Sequence, residues 1–429
     1  MKTIQEIHNL YTIHNIITTD SRNVQKGAIY FALKGENFDG NEFIQSALDN
    51  GASYAISDNK KLENQNEKII IVENVLQTLQ ELAKFHRQNL KIPVIGITGT
   101  NGKTTTKELI KTVLEKQYNV FATKGNLNNH IGVPISILSI TKETQIAIIE
   151  MGANHKGEIA QLSKIAQPNY GIITNIGKAH LEGFGSFDGV VKTKKELYDY
   201  IKKQNGTIFV NHSDKLLLKM ASNNNSIYYN DDNLLFENLT INPYLNFYVK
   251  INKSSTINIK SKIIGRYNID NMLAAIAIGK YFKINNKNIK LALTNFTPNN
   301  NRSQLIQSNS NSIIMDAYNA NPSSMNVAID NFNDINSNNK IIILGDMLEL
   351  GENSDAEHKT ICTKLNNMNF NKIILVGNLF KKNSTYPHFL TFNNTIEATE
   401  YIKKNPINNA YVLLKGSRKI QLEELIKII

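Results

Sequence analysis

Pro93-Val94-Ile95-Gly96-Ile97-Thr98-Gly99-Thr100-Asn101-Gly102-Lys103-Thr104-Thr105 is the stretch on which the reading of this 429-residue chain turns. Its first half reads as a buried strand, and Leu109, Ile110, Val113 and Leu114 then recur at helical spacing. Between the two lies a glycine-rich loop. Glycines let backbone N–H groups turn toward a polyphosphate, and a helix N-terminus adds positive potential. In that setting Lys103 would neutralise the β- and γ-phosphates, and the hydroxyl of Thr104 or Thr105 would meet Mg²⁺. The spacing departs from the standard GxxxxGK(S/T) form: Ile97 stands where the first glycine belongs, with glycines at 96 and 99 instead.

Outward from this loop the chain falls into three blocks. Residues 89–297 alternate buried strands with amphipathic helices, the pattern of a parallel sheet. Gln145 to Ile149 and Gly171 to Thr174 read as further strands, and about 205–264 as antiparallel strands appended to that sheet. Residues 1–88 mix short apolar segments (Gly27 to Leu33, Tyr54 to Ser57, Ile69 to Val72) with glycine turns, and close with a helical pattern from Val75 to Phe85. Residues 298–429 carry strand candidates at Ile341 to Leu344, Lys372 to Val376 and Tyr411 to Leu414, with helical segments between them, again a small α/β sheet. The polar run Thr297-Pro298-Asn299-Asn300-Asn301 reads as a hinge.

Composition narrows the class. An apolar content of 41% suffices for real cores and argues against disorder. No apolar run approaches the ~20 residues of a membrane helix, and the start, MKTIQEIHNLYTIHN, lacks a signal pattern. The single Cys362 excludes an intrachain disulfide framework and a cysteine-rich metal site. A soluble cytoplasmic protein without membrane insertion is expected. The net charge of +11 comes from scattered lysines, with no aromatic-interleaved basic stripe. A phosphate-rich small substrate explains that charge better than nucleic acid, so no nucleic-acid partner is expected.

Two further segments carry chemistry. Ala147-Ile148-Ile149-Glu150-Met151-Gly152 puts a carboxylate at the carboxyl end of a buried strand, where a nucleotide-bound Mg²⁺ finds its acidic partner. Thr174-Asn175-Ile176-Gly177-Lys178-Ala179-His180 ends another such strand with a histidine.

The loop GITGTNGKTTT (96–106) resembles that of the Mur ligase superfamily, the ATP-dependent amide ligases of peptidoglycan precursor synthesis. Further segments resemble the branch that adds D-alanyl-D-alanine to UDP-N-acetylmuramoyl-tripeptide. They are DSRNVQKGAIYFALKGENFDG (20–40), TKGNLNNHIGVPISIL (123–138), EMGANHKGEI (150–159), TNIGKAHLEGFGS (174–186), DAYNANPSSM (316–325), LGDMLELG (344–351) and LLKGSRK (413–419). They lie in order across all three blocks. The resemblance implies an α/β protein of three domains. These are a small UDP-binding α/β domain (1–88), a central P-loop ATPase-type domain with a mostly parallel sheet (89–297), and a C-terminal Rossmann-like domain (298–429). It implies a monomer that uses ATP and two Mg²⁺ ions, and an acyl phosphate made on the tripeptide carboxylate before the amine attacks.

The resemblance also assigns roles. Gly99, Thr100, Asn101, Gly102, Lys103, Thr104 and Thr105 would hold ATP, with Thr104, Glu150 and His180 in or near the metal shells. Lys194 would be carbamylated into an anionic metal ligand, although Thr193 and Lys195 depart from the family's Ala-Lys-Gly-Glu pattern. Asn268 and Asn271 would meet adenine and ribose, beside Tyr267 where the family often has His. Arg302 would meet ATP phosphate on closure, and Asp316 would be a ribose or interdomain partner. Ser21 and Arg22 would meet UDP, and Asn128 and Asn129 the sugar or peptide. Asn319, Asn321, Glu349 and Lys415 would approach ATP and the dipeptide, in a region where Met315 and Arg418-Lys419 depart from the usual pattern.

Two alternatives are a superfamily enzyme adding one amino acid to a UDP-muramoyl substrate, and a folylpolyglutamate-type ligase. Asp20-Ser21-Arg22 argues against folate, and the YNANP and GDMLELG segments argue against single-amino-acid addition. A non-enzymatic nucleotide-binding protein would not require Glu150, His180 and Lys194 to follow the loop in order.

Overall fold

A computed structural model describes residues 2–222, 225–232, 234–252, 255–298, 302–308 and 310–429. The molecule is mixed α/β with three main sheets, one in each third of the chain. The central sheet has six parallel strands in the spatial order Asn225–Tyr229, Thr207–Asn211, Tyr170–Ile173, Val94–Thr98, Ile146–Glu150 and Val120–Ala122. Val94–Thr98 sits in the middle and is buried throughout, which is why it reads as continuous apolar sequence rather than alternation. The helix Lys103–Leu114 follows it. Leu109, Ile110, Val113 and Leu114 are fully buried in the core shared with helix Asn268–Tyr281. Truncating any of the leucines or isoleucines there to Ala costs about 2–5 kcal/mol.

The N-terminal sheet is parallel, in the order Ile17–Thr18, Ile29–Phe31, Tyr54–Ser57 and Ile69–Ile71, and helix Val75–Asn89 closes it. Helix Ile4–His14 has no counterpart in the sequence reading. It begins with a capping box between Thr3 and Glu6 and docks on Val75–Asn89. The C-terminal sheet runs Gln304–Gln307, Ser312–Asp316, Tyr411–Lys415, Lys340–Gly345, Lys372–Val376 and Leu390–Phe392; only its first pair is antiparallel.

One expectation needs correction. The antiparallel run expected across 205–264 splits in two. Thr207–Asn211 and Asn225–Tyr229 are parallel members of the central sheet. Only Leu235–Ile241, Tyr244–Asn252 and Ser255–Ile264 are antiparallel, and they form a sheet of their own packed into the same core. Of the hinge expected at 297–301, Asn299, Asn300 and Asn301 lie outside the described residues. Among the described residues no helix is long and apolar enough to cross a membrane.

Candidate active site

Sheet register assembles the centre. Ile97 pairs with Glu150 and Thr98 with Ile173, so the phosphate loop, Glu150 and the 174–180 loop leave the sheet at one edge. In the C-terminal sheet Asp316 lies level with Lys415. Both edges face one cavity of about 790 Å³. Its walls include Lys103, Glu150, His180 and Lys194 from the central region, and Arg302, Asp316 and Lys415 from the C-terminal one. Asn128, Asn129, Asn268, Asn271, Asn319 and Asn321 line it as well.

The loop takes its shape from two glycines. Gly102 caps helix Lys103–Leu114 at φ 77°, and Gly99 sits at φ 143° against the backbone nitrogen of Thr174. Lys103 folds back over this loop: its Nζ donates to the carbonyls of Gly99 (2.8 Å) and Thr100 (3.0 Å). Burial draws its pKa down to about 8; the carboxylate of Glu150 opposes that shift and Arg302 adds to it. Asn175, which the Thr174 to His180 segment contains but to which no role was assigned, steadies the loop by accepting from Asn101 N (3.0 Å) and donating to Asn101 O (3.0 Å). Its position directly after a buried strand was the available signal.

Glu150 is 2% exposed. Its Oε1 accepts from Asn128 Nδ2 (2.9 Å) and Thr104 Oγ1 (3.2 Å). Its Oε2 accepts no hydrogen bond from the described residues. The nearest cation, Lys107, lies 3.7 Å away and donates to Thr123 O at 2.5 Å. A buried carboxylate oxygen left without a donor is costly unless a ligand completes it. A hard cation does so, and the adjacent Thr104 hydroxyl is a suitable second oxygen. Among the described residues no three His, Cys, Asp or Glu side chains form a metal cage.

Helix Phe187–Lys203 resolves which lysine faces inward. Lys192 pairs with Asp188 and Lys195 with Asp199 on the outer face, while Lys194 is 3% exposed, with its Nζ 5.5 Å from the Phe184 ring centre. Burial, then the charge of Lys103, brings Lys194 down to about 7. A neutral, nucleophilic amine is thus accessible near neutrality.

The C-terminal region reaches across the cavity. Glu349 Oε2 lies 2.6 Å from His180 Nδ1, with both side chains partly exposed, so this bond joins the two regions at His180. Asn321 donates to Asn101 Oδ1 (2.9 Å), and Lys178 pairs with Glu357 (3.1 Å). Lys415, 2% exposed, is tied to Asp316 (2.7 Å) and Asn319 O (3.3 Å). Arg302 lies 3.9 Å from the Tyr318 ring centre, and its Nε has no partner among the described residues. Tyr318 was not singled out from the sequence although it sits within the YNANP segment. Asn268 and Asn271 are buried and bonded to each other (2.8 Å), and Asn271 accepts from Thr106 on the phosphate-loop helix (3.0 Å).

Ser21 and Arg22 stand apart from this cavity. Arg22 is largely in water and bonds Asp20 through Nε (2.9 Å) and Nη2 (2.9 Å), while Ser21 is buried with its carbonyl accepting from Asn50 (3.0 Å).

Comparison with known proteins follows the same three regions. Residues 12–87 match the model of the Mur ligase family catalytic domain, 97–279 the Mur ligase middle domain, and 301–418 the Mur ligase glutamate ligase domain. The chain is 34% identical to the UDP-N-acetylmuramoyl-tripeptide–D-alanyl-D-alanine ligase of Bacillus subtilis, over 97% of this chain and 93% of that protein. It is similar to a crystal structure of MurF from Acinetobacter baumannii (TM-score 0.86, 32% identity, 96% of this chain and 92% of that one). It is also similar to MurF ligase from Thermotoga maritima in complex with ADP (TM-score 0.86, 25% identity, 100% and 98%).

Proposed function

Because this chain belongs to the Mur ligase family, we propose that it joins D-alanyl-D-alanine to UDP-N-acetylmuramoyl-tripeptide at the expense of ATP. The product is a peptidoglycan precursor, and the enzyme acts as a cytoplasmic monomer. The observation that carries this reading is one cavity in which a phosphate loop, a half-satisfied buried carboxylate and a buried neutral-prone lysine face cations from a second region. The division of labour follows the chain: residues 1–88 take the UDP end, 89–297 take ATP and the reacting carboxylate, and 298–429 bring the dipeptide.

In the first step a carboxylate oxygen of the tripeptide attacks the γ-phosphorus of ATP. An O–P bond forms, the bond to the bridging oxygen breaks, and ADP leaves. Lys103 exchanges its loop carbonyls for phosphate oxygens, and Arg302 supplies a second cation. In the second step the dipeptide amine attacks the acyl carbon. The C–N bond forms, the C–O bond to phosphate breaks, and inorganic phosphate leaves with its electron pair while the amine sheds a proton. Lys194, as the neutral amine, adds to CO₂ with loss of one proton and becomes a carbamate, turning a buried amine into an anion. Thr104, Glu150, His180 and this carbamate would hold Mg²⁺. Bound there, Mg²⁺ supplies charge screening between the attacking carboxylate and the phosphates. Asn268 and Asn271 would seat the nucleoside.

The test is isotopic. With both oxygens of the tripeptide's terminal carboxylate labelled with ¹⁸O, one label should leave in phosphate and one remain in the amide. Phosphate free of label overturns the acyl phosphate. Faster turnover with a single amino acid than with D-alanyl-D-alanine moves the enzyme to the alternative branch.

A further inference from the structure

His180 and Glu349 come from different regions, and each holds a left-handed backbone conformation (φ 50° and φ 63°) that side chains other than glycine adopt at a cost. Two such residues meeting at 2.6 Å mean that both loops are shaped for this contact. The surroundings agree. Gly351, at φ 55°, lies against Glu182, and Lys178 reaches Glu357, so the 346–353 loop is laid along the 178–184 segment. The consequence for His180 is chemical. With Nδ1 occupied by a carboxylate, its proton sits on Nδ1 and only Nε2 is left to meet a ligand in the cavity that His180 lines. A carboxylate behind a metal-binding imidazole fixes the ring's tautomer and orientation and makes the free nitrogen a better ligand. Here that carboxylate is delivered by another region of the molecule.

We propose that Glu349 is the positioning residue for His180, so that docking of the C-terminal region completes the metal-binding face of the central one. This rests on the ligase reading for the identity of the site, but not for the contact itself. It gives the closure a task beyond bringing the dipeptide: an undocked enzyme lacks an oriented His180 and is slow to commit ATP before the third substrate's region is in place.

The test is Mn²⁺ binding by electron paramagnetic resonance, with a non-hydrolysable ATP analogue present, in the full chain. Glu349→Ala should weaken one Mn²⁺ site about tenfold and lower kcat by a similar factor. Glu349→Gln, whose amide oxygen still accepts from Nδ1–H, should recover most of the loss. On a His180→Ala background, Glu349→Ala should add nothing further, because it acts through the missing ring. Lys178→Ala, which removes the neighbouring bridge to Glu357, should leave Mn²⁺ affinity within about twofold, setting positioning apart from docking alone. Additive losses in the double variant, or equal weakening by Lys178→Ala, overturn the proposal. Absence of ligation by the unmodified enzyme would overturn the ligase reading instead, and the Mn²⁺ cycle would still decide Glu349.

Discussion

In the central cavity Lys103 and Lys194 are withdrawn from water and held near 8 and 7, and Glu150 keeps one oxygen without a hydrogen-bond donor among the described residues. At the rim of the N-terminal sheet the opposite holds. Arg22 stands in solvent, and its hydrogen bonds keep Asp20 near 2, so each charge is already matched by its neighbour. Lys103 has only loop carbonyls for partners, and Glu150 Oε2 has no donor among the described residues, so the central charges are incompletely matched within the folded chain. On the proposed reading, bound ATP and metal would complete them, and that is where binding energy would become available to chemistry. The Asp20–Arg22 pair is complete without a ligand, and whatever binds there trades one solvated bond for another. Changes in the central site should therefore strike kcat, and changes at the N-terminal rim should strike KM.

Lys103→Ala is the harshest test of that division. It should lower kcat/KM by ~10³-fold or more, since phosphoryl transfer relies on positioned charge. Affinity for the UDP substrate, measured by titration calorimetry in the absence of ATP, should stay within about twofold of the unmodified enzyme. Equal loss of both in a folded variant would dissolve the contrast.

Lys194→Ala should come next, with a loss of ~10²-fold or more and partial rescue by formate, a small anion able to enter the vacated site. The pH sign follows from a pKa near 7. Only the neutral amine adds CO₂, so after CO₂ is stripped, reactivation at a fixed concentration of dissolved CO₂ should speed up as pH rises through about 7 and level off above it. A fully active alanine variant, or an intact-mass spectrum of active enzyme lacking the added carbamate under native conditions, would remove Lys194 from the site.

At the other pole, Arg22→Ala should raise KM for the UDP substrate about tenfold and leave kcat and thermal stability almost unchanged, as exposed ion pairs contribute little to folding. A fall in kcat with unchanged KM would show that the N-terminal rim shares in catalysis.

Much of this was legible in the sequence because the central strands are buried on both faces. Val94–Thr98 and Ile146–Glu150 read as unbroken apolar runs, and the candidate phosphate loop and Glu150 stand at their ends. The same reasoning misjudged 205–264. Thr207–Asn211 is wholly buried, but Asn225–Tyr229 is a partly exposed edge strand, rich in polar residues, and resembles the antiparallel strands that follow it. Register on helix Phe187–Lys203 was equally hidden: Lys192, Lys194 and Lys195 look alike until packing buries one of them. Tyr318 and the partner of His180 depend on contacts between regions far apart in the chain, which no local pattern encodes.

The mildest prediction concerns the junction that joins the two contrasted regions. His8, on helix Ile4–His14, meets His86, on helix Val75–Asn89, through Nε2 and Nδ1 at 3.2 Å. His86 Nε2 faces Ile140 O at 3.4 Å, and Tyr11 donates to Leu138 O at 2.5 Å, so the N-terminal helix is tied to the central region here. With Nε2–H directed at that carbonyl, His86 Nδ1 must accept from His8, and a proton added to Nδ1 would break the contact. Burial holds His86 near 4, with the Ile140 carbonyl opposing and the neighbouring His8 assisting. An unfolded histidine titrates near 6.5. As pH falls from about 6.5 toward 4, the unfolded chain takes up a proton that the folded chain refuses, so stability is lost across that window and is constant above it. The loss at pH 5 should be on the order of 1 kcal/mol. Calorimetry at pH 7 and pH 5 should therefore find a Tm drop in the unmodified protein that is about 1–2 °C larger than in His86→Gln, which cannot titrate. Equal drops in the two proteins would mean that His86 takes up its proton without undocking the helix, and that the junction is held by Tyr11 and apolar packing alone.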